Sequence, residues 1–284
     1  MVDLTTYERP RTLERALELV SEPKAVVVCG GTDFYPERLY RPRHERIVDV
    51  SGIEELHDIV WDAGTLRIGA AATWTQVRSA ELSSAFNGLR DAAREVGASQ
   101  IQNAGTVVGN ICTASPAGDG IPPLLTLDAQ VELRSVRGLR VVSLSQFLVG
   151  YRTTDRREDE LVTAIIIPEP VAGSRGSFVK FGQRSSLVIS IAMVAALLEL
   201  DDDHIKSVRV AVGACSPVAT RLAGVEEILV GMRFDASGVR EALNGVSLRE
   251  LAPIDDVRAT GSYRQRLVPG LIADAVVSCG GGHA

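Results

Sequence analysis

Two glycine-rich segments carry the residues of this chain best suited to hold a phosphate. The first runs an apolar stretch through Val27 and Val28 into Cys29, Gly30, Gly31, Thr32, Asp33 and Phe34. The second passes from Gly105 through Thr106, Val107, Val108, Gly109, Asn110, Ile111 and Ser115 to Gly118 and Asp119. Glycines after a strand let backbone N–H groups turn outward and approach an anion, because no Cβ blocks the path. Two such turns from separate segments can clamp the two phosphates of a dinucleotide. Neither matches a nucleoside-triphosphate loop, since no P-loop lysine is present. The first also lacks the GxGxxG spacing that opens directly into a helix; Phe34, Tyr35 and Pro36 follow instead. Taken singly, these features have plain readings: a tight turn for the Gly-Gly pair, a turn residue for Asp119, a solvated edge charge for Lys180.

Composition narrows the partners. The 284 residues are 45% hydrophobic, with a net charge of −6, which suits a folded protein with a sizeable core and argues against nucleic acid as a partner. The longest apolar run, residues 188–200, is broken by Glu199 and followed by three aspartates, short of the ~20 residues of a membrane span. The N-terminus has no signal-peptide shape. Cys29, Cys112, Cys215 and Cys279 form no CxxC pair and read as buried thiols. His44, His57, His204 and His283 are scattered. Metal-ligand spacing is absent, so neither zinc nor an iron–sulfur cluster is expected on this chain. A reducing, cytoplasmic setting fits these cysteines.

The elements that must position the two turns follow from periodicity. Thr12 caps a predicted helix over 12–22, with Leu13, Ala16, Leu17 and Val20 on one face, and Pro23 stops it. Strands are predicted over 26–29 and 46–51, closing a small α/β unit near residue 52. A strand over 66–72 and helices over 75–86 and 89–96 lead into the second glycine-rich segment. Strands over 129–135 and 160–168 follow. The breaker-rich stretch 168–176 separates a domain over 1–170 (subdomains about 1–55 and 56–170) from one over 171–284. In the latter, strands over 177–183, 188–199 and 206–214 precede helices over 218–229, 236–243 and 263–277. The last is expected to be interrupted or kinked at Pro269, and the tail 280–284 to fray.

Taken in order, six blocks resemble the FAD-binding medium subunit of the molybdenum hydroxylases, the family of xanthine dehydrogenase and carbon monoxide dehydrogenase. They are CGGTD at 29–33, QNAGTVVGNI at 102–111, TASPAGD at 113–119, DELVTAIIIP at 159–168, FVKFGQR at 178–184 and YRQRL at 263–267. The resemblance covers essentially the whole chain. It implies an α+β fold: a two-subdomain FAD-binding unit of the vanillyl-alcohol oxidase/p-cresol methylhydroxylase type, then a C-terminal antiparallel sheet with a helical cluster. By the same resemblance, Val27, Val28, Cys29 and Phe34 flank the FAD pyrophosphate, with the amides of Gly30, Gly31, Thr32 and Asp33 closest. Thr106, Val107, Val108, Gly109 and Asn110 form a second phosphate loop, and Ser115 joins the cofactor-binding set. Asp119 accepts hydrogen bonds from cofactor hydroxyl or ring N–H groups, Val162 packs on the cofactor, and Lys180 adds a polar contact. Ile111 and Cys112 lie near the isoalloxazine. Val108 stands where members often have a second glycine, so its peptide must take an ordinary φ. Gln183 precedes Arg184 where relatives often carry consecutive arginines. FAD is expected to be non-covalent, because neither segment contains a histidine.

The implied role is electron transfer, with no catalytic residue of its own. A large molybdopterin subunit hydroxylates a substrate, and a small [2Fe-2S] subunit passes electrons to FAD on this chain. NAD+, oxygen or another acceptor then takes them. The implied assembly is a dimer of heterotrimers. The alternative is a self-contained flavin-dependent oxidase or reductase, which needs an acid or base over the flavin; no His, Tyr or Glu stands out near either segment.

Overall fold

The computed structural model describes residues 6–38, 45–184 and 187–281; His44, His283 and the end of the tail expected to fray lie outside them. The chain opens with β1 (Thr6–Glu8), α1 (Leu13–Val20), β2 (Ala25–Val28), α2 (Phe34–Arg38) and β3 (Arg46–Asp49). β3 lies between β1 and β2 and pairs in parallel with both. Thr12 caps α1 by accepting the Arg15 N–H. The buried face of α1 holds Leu13, Ala16, Leu19 and Val20, with Leu17 only half-buried. α2 follows the first Gly-Gly turn directly, where the sequence suggests no helix. Pro36 stands in its first turn, where a missing N–H costs nothing.

The next elements are β4 (Ile59–Asp62), β5 (Thr65–Gly69), α3 (Trp74–Ser79), α4 (Asn87–Glu95), α5 (Ser99–Ala104), α6 (Val107–Thr113) and α7 (Ile121–Thr126). Then come β6 (Gln130–Ser135), β7 (Gly138–Ser143), α8 (Leu144–Phe147), the short pair β8 (Leu148–Gly150) and β9 (Thr153–Thr154), and β10 (Leu161–Pro168). Five of these strands form one antiparallel sheet in the order β4-β5-β10-β6-β7. The helix expected over 75–86 is broken. A capping box between Thr73 and Gln76 starts α3, and Ala80 turns extended. The Arg90 guanidinium then donates to the carbonyls of Leu82 and Ser83 at 2.9 and 3.1 Å. A side chain thereby satisfies backbone groups that a continuous helix would have paired. The second glycine-rich segment is mostly helical, with α5 and α6 flanking a bend at Gly105 and Thr106.

The C-terminal part holds β11 (Arg175–Phe181), β12 (Ala192–Asp201), β13 (His204–Gly213) and β14 (Thr220–Arg221), then α9 (Ala223–Leu229), α10 (Ala236–Ala242) and α11 (Gly261–Gly280). The four strands are antiparallel in chain order. β12 starts at Ala192 rather than near 188, because its partner β11 ends at Phe181, whose carbonyl takes the Ile191 N–H at 2.8 Å. β14 displaces the start of the helix expected from 218. α11 runs through Pro269 without interruption. Its buried Val268, Leu271, Ile272, Ala275 and Val276 pack on the sheet, and that burial outweighs the hydrogen bond Pro269 cannot donate. One apolar core gathers around Trp74, Phe86, Leu89 and Ile165, a second around Val194, Val210, Leu222 and Ile272. Cys215 and Cys279 are buried and Cys29 is half-buried, but Cys112 is exposed. Its neighbour Ile111 takes the inward face of α6, which turns Cys112 outward.

Candidate functional site

The two glycine-rich segments meet. A Cβ at Gly30 would stand 2.0 Å from the Ala104 carbonyl oxygen and 2.9 Å from the Gly105 Cα, so only glycine allows this approach. Gly31 follows with φ of +67°, the left-handed region that lets the chain turn sharply out of β2 into α2. Among the described residues, the backbone N–H groups of Gly30, Gly31, Thr32 and Asp33 have no acceptor within the chain. Four unpaired donors in one turn form an anion-binding concavity. Thr32 lies beside Gly105, and Phe34 carries the Arg38 guanidinium 3.6 Å above its ring. The Asp33 side chain is exposed and faces outward, with Thr113 Oγ1 at 3.3 Å and Arg152 Nη1 at 3.4 Å. Val27 and Val28 sit on β2 against the core. Burial pushes the Cys29 thiol up to about 12, which leaves no nucleophile there.

On the second segment, Thr106 caps α6 by accepting the Gly109 N–H at 2.9 Å. The side chains of Val107, Val108 and Ile111 point into the core, which leaves their backbone facing the turn. Val108 lies within α6 and has no positive φ, the ordinary backbone its Cβ requires. Asn110 Oδ1 is buried with no hydrogen-bond partner, and lies beside Gly118 and Gly120. Ser115 Oγ accepts the Ala117 N–H at 3.3 Å, which shapes the turn toward Asp119. Val162 is buried on β10, the strand on which α6 packs.

Asp119, in the turn between α6 and α7, and Lys180, on β11, pair at 2.8 Å, both largely shielded from solvent. Ser190 Oγ adds a longer bond to the other carboxylate oxygen at 3.4 Å, and Lys180 also donates to the Glu95 carbonyl at 3.3 Å. Burial outweighs these partners and lifts the Asp119 carboxyl to about 6. A cavity of about 520 Å³ opens beside Lys180, lined by Asp91, Arg94 and Glu95 of α4 and by Phe178, Phe181, Gly182, Arg184 and Val188. Ser190, Arg152 and the Glu95 carbonyl carry no sequence signal, since each reaches the site from a distant segment.

The family model described as the FAD binding domain in molybdopterin dehydrogenase matches residues 3–170. That for the CO dehydrogenase flavoprotein C-terminal domain matches residues 177–278. The chain belongs to the FAD-binding medium subunits of the molybdenum hydroxylases. This medium subunit is 30% identical over 290 residues to the xanthine dehydrogenase FAD-binding subunit of Escherichia coli O157:H7, covering 99% of each chain. It is 36% identical over 233 residues to the nicotinate dehydrogenase FAD-subunit of Eubacterium barkeri, covering 78% of each. Its fold matches a chain of carbon monoxide dehydrogenase from Hydrogenophaga pseudoflava with a TM-score of 0.89 at 24% identity, covering 97% of both chains. The medium subunit is thus an FAD-binding oxidoreductase subunit, of the expected α+β fold. Its residues fit that cofactor: four amides with no acceptor among the described residues, beside a close backbone approach that only glycine at 30 permits, and an orphaned buried Asn110 Oδ1. No helix among the described residues is long and apolar enough to cross a membrane.

Proposed function

We propose that the medium subunit carries one non-covalent FAD and passes electrons from the [2Fe-2S] clusters of a small partner subunit to NAD+, oxygen or another acceptor. A large partner subunit holds the molybdopterin, in a cytoplasmic dimer of heterotrimers. FAD, when bound, joins one-electron donors to two-electron acceptors. The chain's own part is to bind and orient. Gly30, Gly31, Thr32 and Asp33 offer their amides to the pyrophosphate, with Val27, Val28, Cys29 and Phe34 framing the turn. Thr106, Val107, Val108, Gly109 and Asn110 close on it from the other side. Asp119 accepts from a ring N–H or hydroxyl, backed by Lys180, while Ser115 and Val162 complete the pocket wall.

The observation that carries this reading is the close approach of Gly30 to Ala104 and Gly105, which brings two glycine-rich turns from separate segments to one unpaired set of amides. Acid precipitation of the purified chain should release yellow FAD into the supernatant. Flavin retained on the pellet, or FMN in its place, counts against it. Alone, the chain should show at most feeble NADH–dye reductase activity and no hydroxylation of a purine, aldehyde or heterocycle. Co-expressed with its neighbouring reading frames, it should run in native mass spectrometry with a large and a small subunit. Robust substrate oxidation by the single chain would instead make it a self-contained oxidase.

A further inference from the structure

The α11 residue Arg264 is 2% exposed, yet it lies outside the glycine-rich cradle. Its Nη1 donates to two backbone carbonyls, Ile191 at 2.7 Å and Ala214 at 2.6 Å, and Nη2 donates to Asp256 Oδ1 at 2.8 Å. Its Nε is buried without a partner. A buried guanidinium with an unsatisfied nitrogen is a poor source of stability, because desolvation consumes most of what the ion pair returns. The explanation lies in the two strands of chain it joins. Ile191 is bonded at both ends: its carbonyl takes Arg264, and its N–H donates to Phe181, next to Lys180. The residue before it, Ser190, reaches Asp119. Ala214 is likewise bonded at both ends: its carbonyl takes Arg264, and its N–H donates to the Pro116 carbonyl at 2.8 Å. Pro116 belongs to the turn that ends in Asp119. Ala214 holds a left-handed φ of +62°, a strained backbone for a residue with a Cβ, which an anchored carbonyl helps to maintain.

We infer that Arg264 is a positioning residue of the flavin site, tying the 187–191 segment and the end of β13 together so that Ser190 and the Pro116 carbonyl hold the Asp119 turn in place. The inference rests on the FAD-binding reading given above. Arg264 touches no part of the cradle; it acts through Ile191 and Ala214. A lysine cannot replace it, since one ammonium on a shorter reach does not span two carbonyls and a carboxylate with a planar fork.

The test compares the full-length wild-type chain with Arg264→Lys and with Val276→Ala, a core truncation on the same helix. Each is titrated with FAD by fluorescence quenching, scanned for Tm, and followed by hydrogen exchange. Arg264→Lys should bind FAD about tenfold more weakly or worse, the scale of losing one charge-assisted hydrogen bond. Exchange should quicken in peptides covering 113–120, 188–193 and 213–216. Val276→Ala should lower Tm at least as far while keeping wild-type affinity and wild-type exchange in those peptides. Unchanged affinity in Arg264→Lys, or losses in both variants that simply follow Tm, would overturn the positioning role. Failure of the wild-type chain to bind FAD would overturn the functional reading and this inference together; the wild-type titration tells the two failures apart.

Discussion

Lys180, on β11, places its ammonium 2.8 Å from the Asp119 carboxylate, and so bolts the C-terminal sheet to the end of the second glycine-rich segment. The pair is buried, and desolvation of Asp119 still exceeds the attraction of its partner. A carboxyl lifted from 3.8 to about 6 is therefore poised to change charge just below neutrality.

That shift has two consequences of opposite sign. Between its unfolded and folded pKa the folded chain binds the extra proton, so the Asp119 contribution to stability is greatest below about pH 4 and declines as pH rises to about 6. FAD binding should run the other way, strengthening as pH rises through about 6, because only the carboxylate accepts freely from a ring N–H or hydroxyl. Fluorescence titration of FAD across that range should show the step in the wild type and a flat profile in Asp119→Asn. A step retained in the variant would assign the titration to another group.

Lys180→Met should destabilise the chain by about 3–5 kcal/mol at pH 8, the cost of leaving a buried carboxylate unpaired. The loss should shrink as pH falls, since Asp119 then takes up a proton. Combining it with Asp119→Asn should recover most of the stability, because the stranded charge is gone. Urea unfolding of the four proteins of this double-mutant cycle gives the coupling directly; additive losses would mean that the two groups do not depend on each other.

Gly30→Ala should drive the first turn away from Ala104 and Gly105. Forcing a methyl into so close a contact costs about 1–3 kcal/mol. The purified variant should carry little FAD after gel filtration even where it remains folded by circular dichroism. Gly31→Val should also lose FAD, through its φ of +67°, where a branched residue is strained, and through the Tyr35 ring that its Cβ would meet at 2.6 Å. Full flavin content in both variants would mean that the first turn serves only as a bend.

Thr106→Val keeps the volume at the α6 cap but removes the oxygen that accepts the Gly109 N–H. Loss of one such cap costs about 1 kcal/mol, or about 2–4 °C in Tm for a chain of this size. Thr106→Ser should restore most of it. Differential scanning calorimetry of the apo chain is the measurement.

Much of the site was legible in the residues themselves. The apolar strand before Cys29, the glycine pair, and the six ordered blocks are local patterns, and local patterns report what the backbone can do over a few residues. The helix start at Thr12 and the strands expected over 129–135 and 160–168 follow from capping and apolar patterning in the same way, though β6 is more buried than its alternation suggests. Helices α5 and α6 went unread because Gly105 and Gly109 look like loop punctuation, while packing against the first turn and the core holds both segments helical. That Ile111 takes the inward face of α6 is decided by packing on the core, which its local sequence does not show. The uninterrupted passage of α11 through Pro269 was decided by burial on β11 and β12, which intrinsic propensity does not contain.

What the tertiary structure alone decided is who stands next to whom. Asp119 meets Lys180 across 61 positions and Ser190 across 71, and Arg264 gathers Ile191 from just before β12 and Ala214 from just after β13. No spacing in the chain encodes these meetings. They arise because each segment buries its own apolar face on a common core, and the polar groups left at the seams must find partners there or go without. The sequence by itself therefore determined the two turns and the ligand class they suit; the folded chain determined which charges, hydroxyls and carbonyls stand beside those turns.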